Sequence, residues 1–119
     1  MKIAISCQGP NLNDSIDPRF GRAKGFAILD TDNDSYEFVD NTQNLNAPQG
    51  AGIQSAQNVA ATGAKVIITG HVGPKAFTAL EKGAIKIFLT ESGTVEDAFS
   101  AYKNGNLEEA SGADKPGHW

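Results

Sequence analysis

The sequence is poor in the residues that build disulfides and metal knuckles. Among its 119 residues are one cysteine and two histidines. A single cysteine excludes an internal disulfide and any metal site that needs paired cysteines. The chain opens with a strand-like run from Lys2 and lacks the apolar core and cleavage site of a signal peptide. These features predict a cytoplasmic protein with a free thiol.

Positive charge is also scarce. Ten Lys and Arg residues stand against fourteen Asp and Glu residues, which gives a formal net charge of -4. Because duplex nucleic-acid binders normally carry a basic face, we expect no nucleic-acid partner. No apolar run reaches the length of about 18 residues that would span a membrane, so we expect no membrane partner. The length predicts one domain over residues 1–110 and a tail over residues 111–119.

Hydrophobic patterning predicts the element order β-β-β-α-β-α-β-α. We expect strands over residues 2–6, 25–30, 36–40, 66–69 and 85–89, and helices that begin near residues 50, 74 and 94. Right-handed crossovers return each later strand parallel to its predecessor. The simplest α/β arrangement is therefore a five-stranded mixed sheet of order 3-2-1-4-5 with strand 2 antiparallel. Three helices cover both of its faces, as in a ribonuclease-H-like motif.

This topology predicts where a ligand would bind. In open α/β sheets, ligands bind outside the carboxyl ends of the strands, at the point where the strand order reverses. Here that point lies between the first and fourth strands. The loops that leave this edge bring together a cysteine, a histidine, two arginines and several glycines. These residues are Cys7, Arg19, Arg22, Gly50, Gly52, His71 and Gly73.

Each of these residues also has a purely structural interpretation. A cysteine such as Cys7, at the end of a buried strand, is more often a packed, inert thiol than a ligand. The two arginines fit solvated loop charges, and the glycines fit ordinary turn chemistry, although helix N-termini that follow such turns also bind anions. His118, one residue from the end of the sequence, fits a frayed tail as well as a metal ligand.

Enzymatic interpretations are weakly supported. A two-metal nuclease needs a carboxylate on the first strand, where this chain has Ser6 and Cys7. A cysteine phosphatase would need an arginine at the position of Asn13. A nucleophilic pair of Cys7 and His71 has no evident third residue to orient it. We therefore expect a protein that is not an enzyme.

Four segments resemble, in the right order, motifs of the dinitrogenase iron-molybdenum cofactor biosynthesis family. They are residues 17–23 (DPRFGRA), 50–56 (GAGIQSA), 69–77 (TGHVGPKAF) and 94–102 (TVEDAFSAY). The resemblance extends from Lys2 to about Ala110. It implies a ribonuclease-H-like fold without nuclease activity. It also implies a binding or carrier protein for an iron-molybdenum or iron–sulfur type cluster, a molybdenum–copper sulfide being one variant.

The resemblance also implies a binding site. Where the family motif often has histidine before Phe-Gly, this chain has Arg19, whose charge-assisted hydrogen bonds suit an anionic cluster. His71 is then the leading metal ligand, followed by Cys7 and His118. The cluster-contacting set comprises Arg19, Phe20, Gly21, Arg22, Gly50, Gly52, Gly70 and Gly73.

The partners that follow from this interpretation are proteins that donate and accept the cluster, and we expect a monomer or a weak homodimer. Two other functions stay open from the residues alone. One is a regulatory module that binds a small phosphate ester or nucleotide at the same edge, through arginines and helix N-termini without metal. The other is a cysteine-dependent enzyme, which requires Cys7 to titrate below its ordinary value.

Overall fold

The computed structural model describes residues 1–33, 35–42 and 50–110. The strands in these residues are β1 (Lys2–Cys7), β2 (Gly25–Asp30), β3 (Tyr36–Asp40), β4 (Val66–Thr69), β5 (Lys86–Leu89) and β6 (Glu108–Glu109). The helices are α1 (Ala51–Ala61), α2 (Pro74–Lys82) and α3 (Val95–Lys103), and a 3-10 turn spans Phe20–Arg22. None of the described helices is long and apolar enough to cross a membrane.

The strands form one mixed sheet of order β3-β2-β1-β4-β5-β6. β2 is antiparallel to both β1 and β3, whereas β4 is parallel to both β1 and β5. The predicted order of the first five strands and the antiparallel second strand are confirmed.

The predicted strand number of five is wrong, because β6 adds a sixth strand, antiparallel to β5. Its two glutamates are exposed and carry no apolar pattern. The strand exists because backbone groups pair with β5, and the Ala110 amide continues the ladder to the Ile87 carbonyl at 2.8 Å. The ribonuclease-H-like description stays a prediction.

Each face of the sheet packs its own hydrophobic cluster, since successive side chains of a strand point to opposite faces. Ala4, Ile67 and Ile87 pack under α1 and α2 with Val59 and Leu80. On the other face, α3 covers a second cluster, which contains Ile3, Ile5, Ile68, Val95 and Ala98. The prediction of helices on both faces is confirmed.

The strand directions bring the chemically interesting loops to one edge. β1, β3, β4 and β5 all run the same way, so the segments that follow them leave from the same carboxyl edge. All three helices begin at that edge. We define the rim as residues 8–24, 70–73 and 90–94, together with Gly50 at the start of α1.

Candidate functional site at the rim

Two rim loops are joined by a short parallel bridge between Arg19 and His71. The His71 amide donates to the Pro18 carbonyl at 2.7 Å, and the Phe20 amide donates to the His71 carbonyl at 3.3 Å. A Cβ atom on Gly70 would lie 2.5 Å from Pro18 Cβ and 2.7 Å from Pro18 Cα. The bridge therefore requires glycine at position 70, and it places a guanidinium and an imidazole on neighbouring backbone positions.

The Arg19 side chain is held by the carboxylate of Asp17. Arg19 Nε donates to Asp17 Oδ1 at 3.2 Å, and Nη2 donates to Oδ2 at 3.3 Å. The Arg19 amide also donates to Oδ1, at 3.0 Å. Asp17 is 1% exposed, whereas the Arg19 side chain is 48% exposed. The pair thus has a buried anchor and a solvent-facing cation.

Asp17 is itself fixed to the end of β1. Its amide donates to the Ser6 carbonyl at 2.8 Å. The Ser6 hydroxyl donates to the Asp17 carbonyl at 2.5 Å and lies 2.8 Å from the Thr69 hydroxyl. Because Ser6 and Thr69 are both fully buried, these contacts tie the Arg19 loop to the two central strands at the point where the strand order reverses.

His71 is oriented by a second carboxylate. Its Nε2 lies 2.5 Å from Glu91 Oε1, and the side chains of His71 and Glu91 are 18% and 68% exposed. The contact links the loop after β4 to the loop after β5. Sequence reasoning missed both Asp17 and Glu91 as partners. The signal that would have found Glu91 is its place two residues after the end of a predicted strand at the same edge.

The N-terminus of α3 is closed to ligands. Its first two amides donate to the carbonyls of Asp14 and Leu12, at 3.0 and 2.9 Å. Thr94 and Asp97 complete a reciprocal capping box. The amide groups that attract anions at a helix N-terminus are therefore already satisfied in α3.

The N-termini of α1 and α2 differ from that of α3. They begin after Gly50 and Gly73, and no side chain among the described residues caps either of them. Uncapped helix N-termini favour anions through their amide groups and the helix dipole. The amides in the first turns of α1, including that of Gly52, and of α2 thus form the anion-attracting part of this edge.

A cleft of about 490 Å³ opens beside these two helix starts. It is lined by Ile53, Pro74, Lys75, Thr78, Ala79 and Lys82. The two lysines border an otherwise mostly apolar floor. The cleft runs along α2 from Pro74 to Lys82 and reaches the first turn of α1 at Ile53.

The 3-10 turn Phe20–Arg22 lies mostly beneath the surface of the site. Phe20 is fully buried and packs against Phe26, with ring centroids 5.6 Å apart. Gly21 is buried, and its carbonyl lies 3.4 Å from the Ser55 hydroxyl that donates to it. Arg22 ends the turn and is partly exposed. Of these predicted contact residues, the structure places only Arg22 toward solvent.

A buried polar network also holds this turn in place. The Asn41 side chain is fully buried and donates to the Ala23 carbonyl at 3.0 Å and to the Ser55 hydroxyl at 3.1 Å. Its Oδ1 accepts from Asn58 Nδ2 at 2.8 Å. The network joins the end of β3 to α1 and to the segment that carries Arg19 and Arg22.

Cys7 lies apart from this group. It is fully buried in the cluster under α3, and its Sγ lies 3.6 Å from the Gly25 carbonyl. Burial raises the pKa of the thiol to about 11. The ligand role of Cys7 stays a prediction, but its position on the α3 face and its neutral thiol count against that role.

The described residues contain no group of three or more His, Cys, Asp or Glu side chains arranged to hold a metal ion. His118 and the predicted tail of residues 111–119 lie outside the described residues. What the structure does bring together is Arg19 with His71, each on its own carboxylate, beside the starts of α1 and α2.

Comparison with known proteins shows the family to which this chain belongs. The chain is similar to the apo form of the orange protein from Desulfovibrio gigas, with 42% identity, 96% of each chain covered and a TM-score of 0.93. It is also similar to a NifB-like protein of the DUF35 family from Thermotoga, with 32% identity, a TM-score of 0.85, and 96% of this chain and 97% of that chain covered. An uncharacterised protein of Methanocaldococcus jannaschii is 30% identical over 111 residues, which are 91% of this chain and 90% of that protein. The family model for dinitrogenase iron-molybdenum cofactor matches residues 1–105, and the chain therefore belongs to the dinitrogenase iron-molybdenum cofactor family.

Proposed function

We propose that this protein is a non-catalytic carrier that binds an anionic metal–sulfur cluster at the rim and passes it on during iron-molybdenum cofactor biosynthesis or a related pathway. The cargo class is an iron-molybdenum, iron–sulfur or molybdenum–copper sulfide species. The proposal rests on family membership and on one structural observation: Arg19 and His71 occupy paired backbone positions, and each is held by a carboxylate.

The residues have distinct roles in this proposal. The Arg19 guanidinium offers charge-assisted hydrogen bonds to sulfide or oxo groups of the cargo, which are stronger than neutral ones. His71 supplies an imidazole, a ligand type that suits iron and copper. Arg22 adds positive charge, and the amides in the first turns of α1 and α2 add donors.

Incomplete protein ligation is an advantage for a carrier. A cluster held by one imidazole and a set of hydrogen bonds can leave without breaking several metal–protein bonds. We do not assign Cys7 to the ligand set, because its thiol is fully buried in the hydrophobic cluster under α3. The burial of the Cys7 thiol also argues against a cysteine-dependent enzyme, which needs an accessible thiolate.

Similarity to the orange protein adds support. That relative has been solved as an apo form, a term that implies a group which the protein takes up. At 42% identity over 96% of both chains, a shared type of cargo is a reasonable proposal for this chain.

The test is cluster uptake by the protein under anaerobic conditions. Tetrathiomolybdate alone, tetrathiomolybdate with copper, and iron with sulfide are each added, and bound metal and visible absorption are measured after gel filtration. We expect a stoichiometric coloured species with one of them. We expect His71→Ala and Arg19→Ala to lose most of it.

Lys65→Ala is the matched control, because Lys65 is an exposed cation that precedes β4 at the opposite edge of the sheet. Equal loss in Lys65→Ala would indicate a nonspecific charge effect. If wild type takes up no metal species but binds inorganic phosphate, and His71→Ala retains that binding, the phosphate-binding module replaces the carrier.

A further inference from the structure

Asp17 is the most deeply buried charged group of the rim, and its carboxylate accepts hydrogen bonds from Arg19 while its backbone is tied to the end of β1. It is 1% exposed and accepts three hydrogen bonds from Arg19, two from the guanidinium and one from the amide. A charge this deeply buried is tolerated only when it is paired and hydrogen-bonded. Burial of this carboxylate costs free energy, and the group it orients is the half-exposed Arg19 guanidinium.

The contacts use one particular side of the guanidinium. A guanidinium has five N–H donors in a rigid planar fork. The Nε–H and one Nη2–H are taken by the two oxygens of Asp17. The other three donors include the end-on pair, one N–H each from Nη1 and Nη2, and no other acceptor among the described residues contacts them. The arginine is thus gripped along one side while its end stays available to a ligand.

We propose that Asp17 is the positioning residue of the rim: it fixes the Arg19 guanidinium so that its end-on pair of N–H groups recognises two acceptor atoms of a tetrahedral oxo- or thiometallate. This inference rests on the proposed carrier function and deepens it by naming the shape of anion that the site selects. A fixed fork loses less conformational freedom on binding than a mobile side chain does. It also favours a ligand with two suitably spaced acceptors over a ligand with one.

Positioning by Asp17 and simple electrostatics predict opposite changes in anion affinity when the Asp17 charge is removed. Removal of a negative charge beside an anion site would tighten anion binding if charge alone mattered. If Asp17 acts by positioning, Asp17→Asn weakens binding instead, because an amide cannot accept both guanidinium N–H groups. We expect an affinity for tetrathiomolybdate about tenfold lower in Asp17→Asn, as befits the loss of a hydrogen bond to a charged group.

Arg19→Lys tests the fork without touching the buried carboxylate. It keeps the positive charge at a half-exposed position, so it does not depend on whether Asp17→Asn folds. We expect Arg19→Lys to bind tetrathiomolybdate about as weakly as Asp17→Asn, and the double variant to bind no more weakly than Arg19→Lys alone. We also expect the preference of wild type for tetrathiomolybdate over thiocyanate, a linear anion, to fall in both variants.

A ligand-independent measurement completes the test. The chain has only two arginines, Arg19 and Arg22, so the arginine Nε–H region of a nitrogen-15 NMR spectrum contains two signals, which Arg22→Lys assigns. We expect the Arg19 signal to be protected from solvent exchange in wild type and to lose this protection in Asp17→Asn.

The outcomes test the positioning role of Asp17 separately from the carrier function. Tighter or unchanged binding in Asp17→Asn, or wild-type affinity in Arg19→Lys, overturns the positioning role even if His71→Ala abolishes uptake and so supports the carrier. If wild type takes up iron with sulfide but no tetrathiomolybdate, the anion selectivity fails while the carrier stands, and if it takes up none of the metal species, both fail. An Arg19 Nε–H that exchanges freely in wild type refutes the grip of Asp17 by itself.

Discussion

The buried thiol of Cys7 gives a sharp test of where the site lies. Cys7 is fully buried in the cluster under α3, and burial raises the pKa of its thiol to about 11 from an ordinary value of 9.0. The thiol is thus protonated at neutral pH and enclosed by the hydrophobic cluster under α3. We expect Cys7→Ala to leave cluster uptake at the wild-type level, whereas a ligand role would make uptake collapse.

The same pKa shift predicts how stability depends on pH. The folded state holds the thiol proton more tightly than the unfolded state does, so this contribution to stability is complete below pH 9. It is lost as the pH rises from 9 toward 11, at no more than about 1.4 kcal/mol for each pH unit. Cys7→Ala removes this dependence, and the small cavity it leaves costs about 1 kcal/mol at neutral pH.

Two measurements check these expectations. Denaturant unfolding of wild type and Cys7→Ala between pH 7 and 11 isolates the thiol, because the lysines that also titrate there are common to both proteins. Iodoacetamide labelling at pH 8 should be at least about a hundredfold slower than for an ordinary thiol, because thiolate is that much scarcer. Rapid labelling of the native protein, or identical pH dependence in the two proteins, would refute this account of Cys7.

Four further substitutions follow from the backbone and its buried polar groups. Ala84 has φ +58° after α2, whereas Gly83 has φ −83°. Ala84→Gly should therefore raise the free energy of unfolding by about 0.5–1 kcal/mol, and Gly83→Ala should be tolerated because the nearest contact of its new Cβ is at 3.5 Å. Thermal melts of both variants check this, and a destabilised Ala84→Gly would contradict the expectation. Gly70→Ala drives a Cβ into Pro18 and should cost about 1–3 kcal/mol as well as cluster uptake, so wild-type uptake by a folded Gly70→Ala would show that the bridge is dispensable. Asn41→Ala leaves buried partners unpaired and should cost about 2 kcal/mol, measured by denaturant unfolding, where a change under 0.5 kcal/mol would show that the network is not stabilising.

Most of the fold could be predicted because the apolar runs are short and bounded by turn residues. β2, β3 and β4 have the predicted bounds. The crossover rule then left few possible strand orders. β6 could not be predicted, because Glu108 and Glu109 join the sheet through backbone hydrogen bonds alone, which leave no mark on side-chain patterning.

The candidate site was predictable only in part. The edge of the sheet and the loops that carry Arg19 and His71 followed from strand direction. The side of the sheet that Cys7 faces did not follow, because alternate residues of β1 are small or apolar on both faces, and the sequence does not indicate which helices cover which face. The structure decides it: Ser6 faces Thr69 beneath α1 and α2, and Cys7 faces α3.

The sequence by itself determined the local propensities, the strand order of the first five strands and the gathering of basic and glycine-rich loops at one edge. Only the tertiary structure decided which groups meet there. Asp17 reads in the sequence as one loop acid among several, yet it is buried because the strand end holds it beneath Arg19. Glu91 meets His71 across two loops that lie 20 positions apart in the chain (91 − 71). Such pairings depend on distances between loop ends, and those are set by the packing of the sheet and helices rather than by any local pattern.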